Sequence, residues 1–342
     1  MAIEVRNACF AELESGWRAI EDKGFVASPF LTYDWLFAWW NHFGDQSDEL
    51  ILLGVYNNGS LVGIAPLHAR TMRLKGVVEI FKVIYFIGSR EINYADFILH
   101  SDCEKEGMDA IWKYLRLNYP RHIIYLCDMK EQSLVVMHLP SDHYSSVELT
   151  KGFVCPTANL PGSWDEYLQQ IGKRTKKNIR QAKKYLENIP GYSLGNSSEK
   201  LYADALFRLH YKRWGMNPDE NYLARLERYE RDVISVLSQK NRLRFNYMKF
   251  DERIGGVLFA YDYGQVRYFH KIGHDPDFAD YSPGKILIFE AIKDAISKNI
   301  AVFDFLRGDE DYKKLFTNGN IQCWDSIISN NRLRGFLFKH LK

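Results

Sequence analysis

Residues 266–316 read VRYFHKIGHDPDFADYSPGKILIFEAIKDAISKNIAVFDFLRGDEDYKKLF. The opening residues are rich in β-branched and aromatic types and predict a strand, which the turn-forming sequence YSPGK at 281–285 follows. Apolar residues then recur at helical spacing as far as Asn299, and the apolar run 301–306 predicts a second, buried strand. The segment therefore predicts a strand, loop, helix and strand that lead into a polar turn at 307–313.

The loop at Ser282 and Gly284 lies where the predicted helix begins. A helix N-terminus presents free backbone N–H groups and the positive end of its dipole, so it favours an anion such as a phosphate. The alternative is that the loop is only a tight turn, with Pro283 near the first helical position.

The neighbouring sequence extends this order of elements. Residues 243–250 and 256–263 predict an antiparallel pair of strands before it, and residues 309–316 and 321–328 predict a short helix and a last strand after it. This order, over about 242–329, resembles the acyl-transferring core of the GNAT acyltransferase superfamily. The phrases YSPGK and FDFLRGDEDYKKLF resemble the branch that includes acetyltransferases associated with bacterial cellulose and exopolysaccharide biosynthesis. That branch resembles the Fem peptidyltransferases, which carry two such domains in tandem.

The resemblance implies an enzyme that moves an acyl group from acetyl-CoA or another acyl-CoA to an amine or hydroxyl acceptor. It places Ser282, Gly284 and Lys285 at the phosphates of the cofactor. The superfamily's pyrophosphate loop usually reads Gln/Arg-x-x-Gly-x-Gly/Ala, and only Gly284 fits that pattern here. Pro283 also removes a backbone donor. A second enzymatic interpretation is a Fem-like transfer of an aminoacyl group from tRNA.

Acyl transfer requires a base for the acceptor, hydrogen-bond donors for the oxyanion and an acid for the leaving group. The turn after Leu306 carries these residue types. The resemblance implies that Tyr312 protonates the departing thiolate and that Lys313 lies near the reacting carbonyl. Asp309 and, on the neighbouring strand, His270 are candidate bases. Alternatively, Asp309 caps a helix.

Polar and aromatic residues elsewhere are candidates for binding the acceptor, which we expect to be a small molecule, a glycan or a peptide. They are Tyr94, Asp96, Trp214 and Arg307. Ligand clefts often lie between domains, so we expect the acceptor there. For Asp96 the alternative is a cap at a strand end. The buried Asp304 is expected to hold either Arg307 or a backbone group.

The first half of the chain repeats part of the same order. Asn58-Gly59 predicts a hairpin, because this pair accepts the positive φ of a tight turn. Strands near 83–88 and 94–99, a helix over 104–117 and a strand over 123–127 follow it. The repetition indicates an internal duplication whose first copy has lost the phosphate loop.

Length supports two domains, because 342 residues exceed one comfortable core. The boundary is predicted at 155–162, where Pro156 and Pro161 bracket a polar connection. We therefore predict an α/β (α+β) fold of two tandem GNAT-like domains, each a mixed sheet flanked by helices. The degenerate domain would occupy residues 1–160 and the acyltransferase domain residues 161–342.

A basic helix should open the second domain. Ser163 and Glu166 predict a capping box ahead of an amphipathic run to Asn188. At about 100° per residue, one arc of this helix contains Lys173, Lys176, Lys177, Arg180, Lys183 and Lys184, and the other side contains Ile171, Ala182, Tyr185 and Leu186. Like charges on one stripe repel unless an anion is near, so we expect Lys177 and Arg180 to contact a nucleotide, tRNA, lipid phosphate or acidic glycan. The alternative is a solvated face.

Composition limits the remaining classes of function. The formal net charge is only +2, so the chain as a whole is not built to wrap nucleic acid. There is no apolar run long enough to span a bilayer and no signal-like N-terminus, so we expect a cytoplasmic protein without a membrane span. Five cysteines without a C-x-x-C pattern and ten scattered histidines indicate neither a disulfide framework nor a metal site. A non-catalytic binding module of a polysaccharide assembly system is the third interpretation.

Overall fold

The computed structural model describes residues 3–74, 78–214 and 220–341, without the side chains of Leu74, Arg213, Trp214 and Glu220. The chain divides into two compact units: unit 1 comprises Met1–Phe153 and Gln322–Lys342, and unit 2 comprises Val154–Ile321. The predicted ranges 1–160 and 161–342 differ from this division chiefly in the C-terminal segment, which belongs to unit 1 because its strand pairs with a strand of that unit.

In chain order the elements are β1 (Ile3–Ala8), α1 (Phe10–Asp22), α2 (Tyr33–Phe43), β2 (Glu49–Asn57), β3 (Ser60–Leu74), β4 (Val78–Phe86), β5 (Ile98–Leu99), α3 (Glu104–Asn118), β6 (Ile123–Lys130), α4 (Leu134–Met137), β7 (Ser146–Asn159), α5 (Trp164–Gln170), α6 (Lys173–Leu186), β8 (Tyr192–Ser197), α7 (Tyr202–Trp214), α8 (Glu220–Gln239), β9 (Leu243–Phe250), β10 (Arg253–Tyr263), β11 (Val266–His274), α9 (Pro283–Ser297), β12 (Val302–Asp304), β13 (Gly319–Ser329) and α10 (Arg332–Leu341). Strands β7 and β13 each cross the boundary between the units.

Unit 1 has a mixed sheet with the strand order β1-β2-β3-β4-β6-β13-β7, and β5 pairs with β3. β4 and β6 pair in parallel, whereas β1 to β4 pair antiparallel in succession. The predicted hairpin joins β2 to β3, and Asn58 and Gly59 have φ values of 50° and 82° as its tight turn requires. Trp17 of α1 and Trp112 of α3 are fully buried in the core of this unit.

Unit 2 has a mixed sheet with the strand order β7-β12-β11-β10-β9-β8. α9 buries Ile286 and Ile292 against Phe269 of β11, and α5 and α6 add to the same core. α7 and α8 cover the other face, because His270, next to Phe269, contacts Glu230 of α8. The predicted α/β class, with mixed β-sheet flanked by helices, is therefore confirmed, although all the described strands belong to one 13-stranded sheet.

Parallel strands β11 and β12 pair over only three positions. The pairing runs from Val266 opposite Val302 to Tyr268 opposite Asp304. β11 continues to His274 beyond this point, while β12 ends at Asp304. The two strands therefore cease to pair toward their carboxyl ends. The loop before α9 comes after the end of β11, and the polar turn comes after the end of β12.

The helix predicted over 163–188 is two helices, α5 and α6. Ile171 has ψ 143° and is buried, and the chain restarts as a helix after Gly172, whose helical propensity is low. Ser163 caps α5 as predicted, because its Oγ accepts from the Glu166 N–H at 3.3 Å. Tyr185 was expected inward but is 57% exposed and stacks on Tyr281, with ring centroids 5.0 Å apart.

Two smaller elements also differ from the sequence prediction. Within residues 94–99 only β5 forms a strand, and within residues 309–316 only a 3-10 helix, Lys313–Leu315, forms. In both segments a side chain hydrogen bonds to the backbone: Asp96 in the first and Lys313 in the second. The spacing of apolar residues along the sequence gives no sign of such bonds. Across the described parts of the chain, we find no helix with the length and apolar character needed to span a bilayer.

A buried arginine joins α9 to the sheet of unit 2. Arg267 on β11 has no exposed surface, and its Nε and Nη2 donate to the Asp262 carboxylate at 2.7 and 3.0 Å. Its Nη1 donates to Asp294 Oδ2 at 2.5 Å and to the Ala291 carbonyl at 3.2 Å. Burial opposes ionisation of Asp294, but Arg267 outweighs it and holds the pKa of that carboxyl below its ordinary value.

Candidate active site

A cavity of about 340 Å³ lies in unit 2 at the N-terminus of α9. One wall is the start of α6, another is the loop before α9, and Leu315 of the 3-10 helix closes it. The lining residues are Arg174, Thr175, Asn178, Ile179, Ala182, Ser282, Lys285, Ile286 and Leu315. Arg174 and Lys285 are both exposed, so the cavity has a positively charged mouth.

The loop before α9 has few backbone donors to offer. Ser282 is left-handed, with φ 53°, and its carbonyl accepts from the N–H groups of Lys285 and Ile286 at 3.0 and 3.3 Å. Pro283 has no N–H. An anion in this cavity would therefore depend mainly on the charges of Lys285 and Arg174, together with the helix dipole.

Gly284 leaves open space beside the cavity. A Cβ at this position would have Ile272 Cδ1 as its nearest neighbour, at 3.7 Å, which is an ordinary contact. Packing within the chain therefore does not require glycine here, whereas close approach of a ligand to the backbone would.

The turn after β12 is held from both ends. Asp304 Oδ1 accepts from the Leu306 N–H at 2.8 Å, which matches the backbone alternative predicted for this residue, and Leu306 has a left-handed φ of 55°. Lys313 is only 3% exposed, and its Nζ donates to the carbonyls of Arg307 at 2.8 Å and Gly308 at 3.1 Å. It also pairs with Glu310 Oε2 at 2.8 Å.

These contacts change the role expected of Lys313. An ammonium has three N–H donors, and all three have partners in this turn. None is left for an oxyanion, so this geometry makes Lys313 a residue that positions the turn rather than one that contacts the reacting carbonyl. Tyr312 is partly buried and packs on the core of unit 2, three residues before the cavity-lining Leu315. Asp309 is exposed, and Arg307 is half-buried.

His270 lies on the opposite face of the sheet from this cavity. A β-bulge in β11 brings both His270 and Lys271 to the α8 side, where they contact Glu230. His270 Nε2 is 3.4 Å from Glu230 Oε1, and Lys271 Nζ is 2.6 Å from Glu230 Oε2. A base that deprotonates an acceptor must lie within hydrogen-bond reach of it, so the structure separates His270 from the other predicted catalytic residues.

Burial would raise the pKa of Glu230, but Lys271 and His270 outweigh it and lower that pKa to about 2. The unfolded carboxyl titrates near 4.5, so its contribution to stability is present above that pH and is lost as the pH falls toward 2. We expect Glu230→Gln to lower the free energy of unfolding by about 3 kcal/mol near neutral pH.

The Glu230→Gln effect should shrink steadily as the pH falls from about 4.5 to about 2, because the unfolded carboxyl takes up a proton in this range while the native carboxyl stays ionised. Urea denaturation at a series of pH values measures it. Glu4→Gln, which alters a fully surface-exposed pair with Arg6, is the control and should show no comparable slope. A difference between wild type and Glu230→Gln that does not vary with pH would contradict the assigned ion cluster.

The basic stripe of α6 divides into two groups. Lys176 Nζ donates to the Leu168 carbonyl at 2.6 Å, and Lys183 pairs with Glu290 at 2.6 Å. The exposed Lys173, Lys177 and Arg180 line a second cavity of about 400 Å³ between α5 and α6. The basic stripe therefore does not predict the position of the cavity at α9. Of the predicted stripe, no residue lines that cavity, and its α6 wall consists of Arg174, Thr175, Asn178, Ile179 and Ala182.

The residues predicted for acceptor binding in the first half have structural contacts in unit 1. Tyr94 is buried, and Lys130 Nζ lies 4.1 Å from the centroid of its ring. The Asp96 carboxylate accepts from the N–H groups of Leu134 and Val135 at 2.8 and 3.1 Å, so it caps α4 rather than a strand end. Burial raises the pKa of Asp96 to about 7 despite these bonds. The side chain of Trp214 lies outside the described residues.

A metal site has little support in the described residues. Within 3–74, 78–214 and 220–341, no three or more His, Cys, Asp and Glu side chains come together in a way that could hold an ion. The polar groups at the α9 cavity are instead cations and neutral donors, which suit an anionic ligand.

Comparison with known proteins gives a partial family match. Residues 173–314 match the family described as acetyltransferase (GNAT) domain. A search of curated proteins found no match to the chain. The match covers α6 to the 3-10 helix of unit 2, the part of the chain that contains the cavity and the turn after β12.

Solved structures share the fold over nearly the whole chain. FemX has a TM-score of 0.64 at 11% identity, covering 98% of this chain and 99% of that one. The C-terminal domain (DUF2156) of a putative lysylphosphatidylglycerol synthetase from Agrobacterium fabrum has a TM-score of 0.55 at 8% identity, covering 97% and 95%. L-PGS from Bacillus licheniformis has 0.52 at 9% identity, covering 90% and 95%. Residues 173–314 therefore match the acetyltransferase (GNAT) domain family, and the chain has a fold like that of FemX.

Proposed function

We propose that this protein transfers an acyl group from an acyl-CoA, such as acetyl-CoA, to an amine or hydroxyl acceptor. The observation that carries the proposal is the cavity at the N-terminus of α9, with the exposed cations Arg174 and Lys285 at its mouth. The GNAT domain match over the same residues supports an acyl-CoA donor.

The donor would bind along the carboxyl edge of the parallel strands. Lys285 and Arg174 would hold its phosphates, and the positive end of the α9 dipole would favour the same charge. The thioester arm would bind beyond Tyr268 and Asp304, where β11 and β12 cease to pair. The turn at 307–313 follows β12 at this edge, so it would lie near the reacting carbonyl.

The reaction forms one bond and breaks one. The acceptor nitrogen or oxygen attacks the thioester carbon, the carbon–sulfur bond breaks, and the sulfur takes a proton as it leaves. Tyr312 would supply that proton, and the exposed Asp309 would receive the proton that the acceptor loses, directly or through water. Lys313 would hold the turn that carries both residues.

We further propose that the enzyme acts in polysaccharide or cell-envelope synthesis, in the cytoplasm, on a glycan or peptide acceptor. The similarity of the phrase FDFLRGDEDYKKLF to the exopolysaccharide-associated branch supports this setting. The fold shared with FemX and with lysylphosphatidylglycerol synthetase domains supports a transferase.

A second candidate is the transfer of an aminoacyl group from tRNA. The second cavity of α6 favours it, because Lys173, Lys177 and Arg180 are exposed there with no acidic residue in the lining. A surface of this kind suits a long polyanion better than a single small cofactor. The non-catalytic alternative would bind an anionic ligand in either cavity without turnover.

Two matched pairs of variants separate these functions. The pair Arg174→Gln and Lys285→Gln removes two charges from the α9 cavity, and the pair Lys177→Gln and Arg180→Gln removes two charges from the other side of α6. Titration calorimetry with acetyl-CoA should show affinity about tenfold weaker or more for the first pair and little change for the second.

The opposite pattern would overturn the acyl-CoA proposal. If acetyl-CoA does not bind the wild type, while charged tRNA binds and is weakened by the second pair with a reduced dependence on salt, the aminoacyl transferase is the correct function. Binding of either ligand without transfer to any amine or hydroxyl acceptor would support the non-catalytic interpretation. Circular dichroism of each variant checks that the fold is retained.

A further inference from the structure

The C-terminal helix α10 has two apolar faces. Phe338 packs inward against Phe81 and Tyr125, with ring centroids 5.7 Å apart in both pairs. A second set of apolar side chains points outward, with exposed fractions of 66% for Leu333, 53% for Phe336, 43% for Leu337 and 48% for Leu341. At about 100° per residue these four positions share an arc of about 140° on the side away from Phe338, and the exposed His340 lies within the same arc beside Phe336.

Cations border this arc on both sides. Arg334 follows Leu341 around the helix on one side, and Arg332 and Lys339 lie beyond Phe336 on the other. Arg332 and Lys339 are exposed, and each also contacts the body of unit 1: Arg332 Nε donates to the Ser145 carbonyl at 3.0 Å, and Lys339 pairs with Glu148 at 2.6 Å. No aspartate or glutamate occurs from Ser329 to the last residue of the sequence.

We propose that α10 binds the surface of an anionic lipid bilayer, with its outward apolar arc buried at the level of the head groups. Its ten residues are too few to cross a membrane, so the helix would lie in the plane of the interface. The outward leucines and phenylalanine would enter the acyl boundary, and Arg332, Arg334 and Lys339 would meet the lipid phosphates.

Charge favours a membrane over a second copy of the chain as the occupant of this face. Lys339 already has Glu148 as its partner, but two copies paired through α10 would bring Arg332 and Arg334 of both copies together, and no acidic residue of the segment is available to neutralise them. Anionic phosphates neutralise the same borders directly. This proposal does not depend on the reaction assigned to unit 2.

Flotation with lipid vesicles tests the proposal on the full chain. The wild type should float with vesicles of phosphatidylcholine and phosphatidylglycerol in equal parts, and added salt should weaken this binding. The triple variant Leu333→Ser, Phe336→Ser and Leu337→Ser should bind the vesicles with an affinity lower by about tenfold or more. These side chains are exposed, so the variant should keep its fold.

Leu117→Ser is the matched control. Leu117 on α3 is 69% exposed, and it does not belong to the arc, so its replacement should leave vesicle binding unchanged. The pair Arg332→Gln and Lys339→Gln should weaken binding to the phosphatidylglycerol vesicles and reduce its dependence on salt.

Three results would overturn the proposal. One is a wild-type protein that does not float with the anionic vesicles, and another is a correctly folded triple variant that floats as well as the wild type. The third is light scattering that shows a wild-type dimer and a monomeric triple variant, with no vesicle binding by either, because a second copy would then cover the face.

Discussion

Arg267→Met is expected to lower the free energy of unfolding by about 3–5 kcal/mol, because it leaves two carboxylates without their buried cation. The side chains of Asp262 and Asp294 are only 13% and 12% exposed, and both accept hydrogen bonds from Arg267. Methionine fills most of the same volume but cannot hydrogen bond to either. Urea denaturation followed by circular dichroism measures the loss.

Lys298→Met provides the control for this prediction. Lys298 pairs with the same Asp294 at 3.0 Å, but its side chain is 41% exposed, so its removal should cost less than about 1 kcal/mol. If the two variants lose similar stability, the buried hydrogen bonds of Arg267 are not what holds α9 against the sheet.

Tyr312→Phe is expected to lower kcat by about 100-fold or more while leaving the affinity for the acyl donor nearly unchanged. The substitution removes only the hydroxyl, and that group is proposed to act as the thiolate departs, after the donor is already bound. Steady-state kinetics with acetyl-CoA and an identified acceptor, together with calorimetric binding of the donor, measure the two quantities separately.

Tyr167→Phe tests whether the loss is chemical or structural. Tyr167 belongs to the same core, and its hydroxyl donates to the Phe316 carbonyl at 3.0 Å, close to the turn. Its loss should cost about 1 kcal/mol of stability but little kcat. A Tyr312→Phe enzyme with kcat within about twofold of the wild type would place the general acid elsewhere.

Much of the fold follows from local sequence, because periodicity and turn residues report it directly. Residues 243–250 form β9 as predicted, and the Asn58-Gly59 turn joins the predicted hairpin. The break between α5 and α6 at Ile171 cannot be predicted from periodicity or turn residues. A buried isoleucine followed by one glycine ends α5, and only tertiary packing decides that it does so.

The candidate site was predicted less completely, for two physical reasons. A β-bulge turns His270 to the same side as Lys271, and alternation along a strand cannot foresee an inserted residue. Lys313 was predicted from a motif, but its partners are backbone carbonyls, which the sequence does not distinguish from one another. Of the predicted ligand-binding residues, Ser282 and Lys285 line the cavity at α9.

The two crossings of the unit boundary, within β7 and within β13, have a consequence for how the protein is made. All of unit 2 has been synthesised once residue 321 is added, whereas unit 1 still lacks the strand that pairs with β6. The hydrogen bond from Tyr125 to Asp325 cannot form until Asp325 has been synthesised, 200 residues later. The unit whose synthesis begins first is therefore completed after the other, and its β6 edge stays open until β13 has been made.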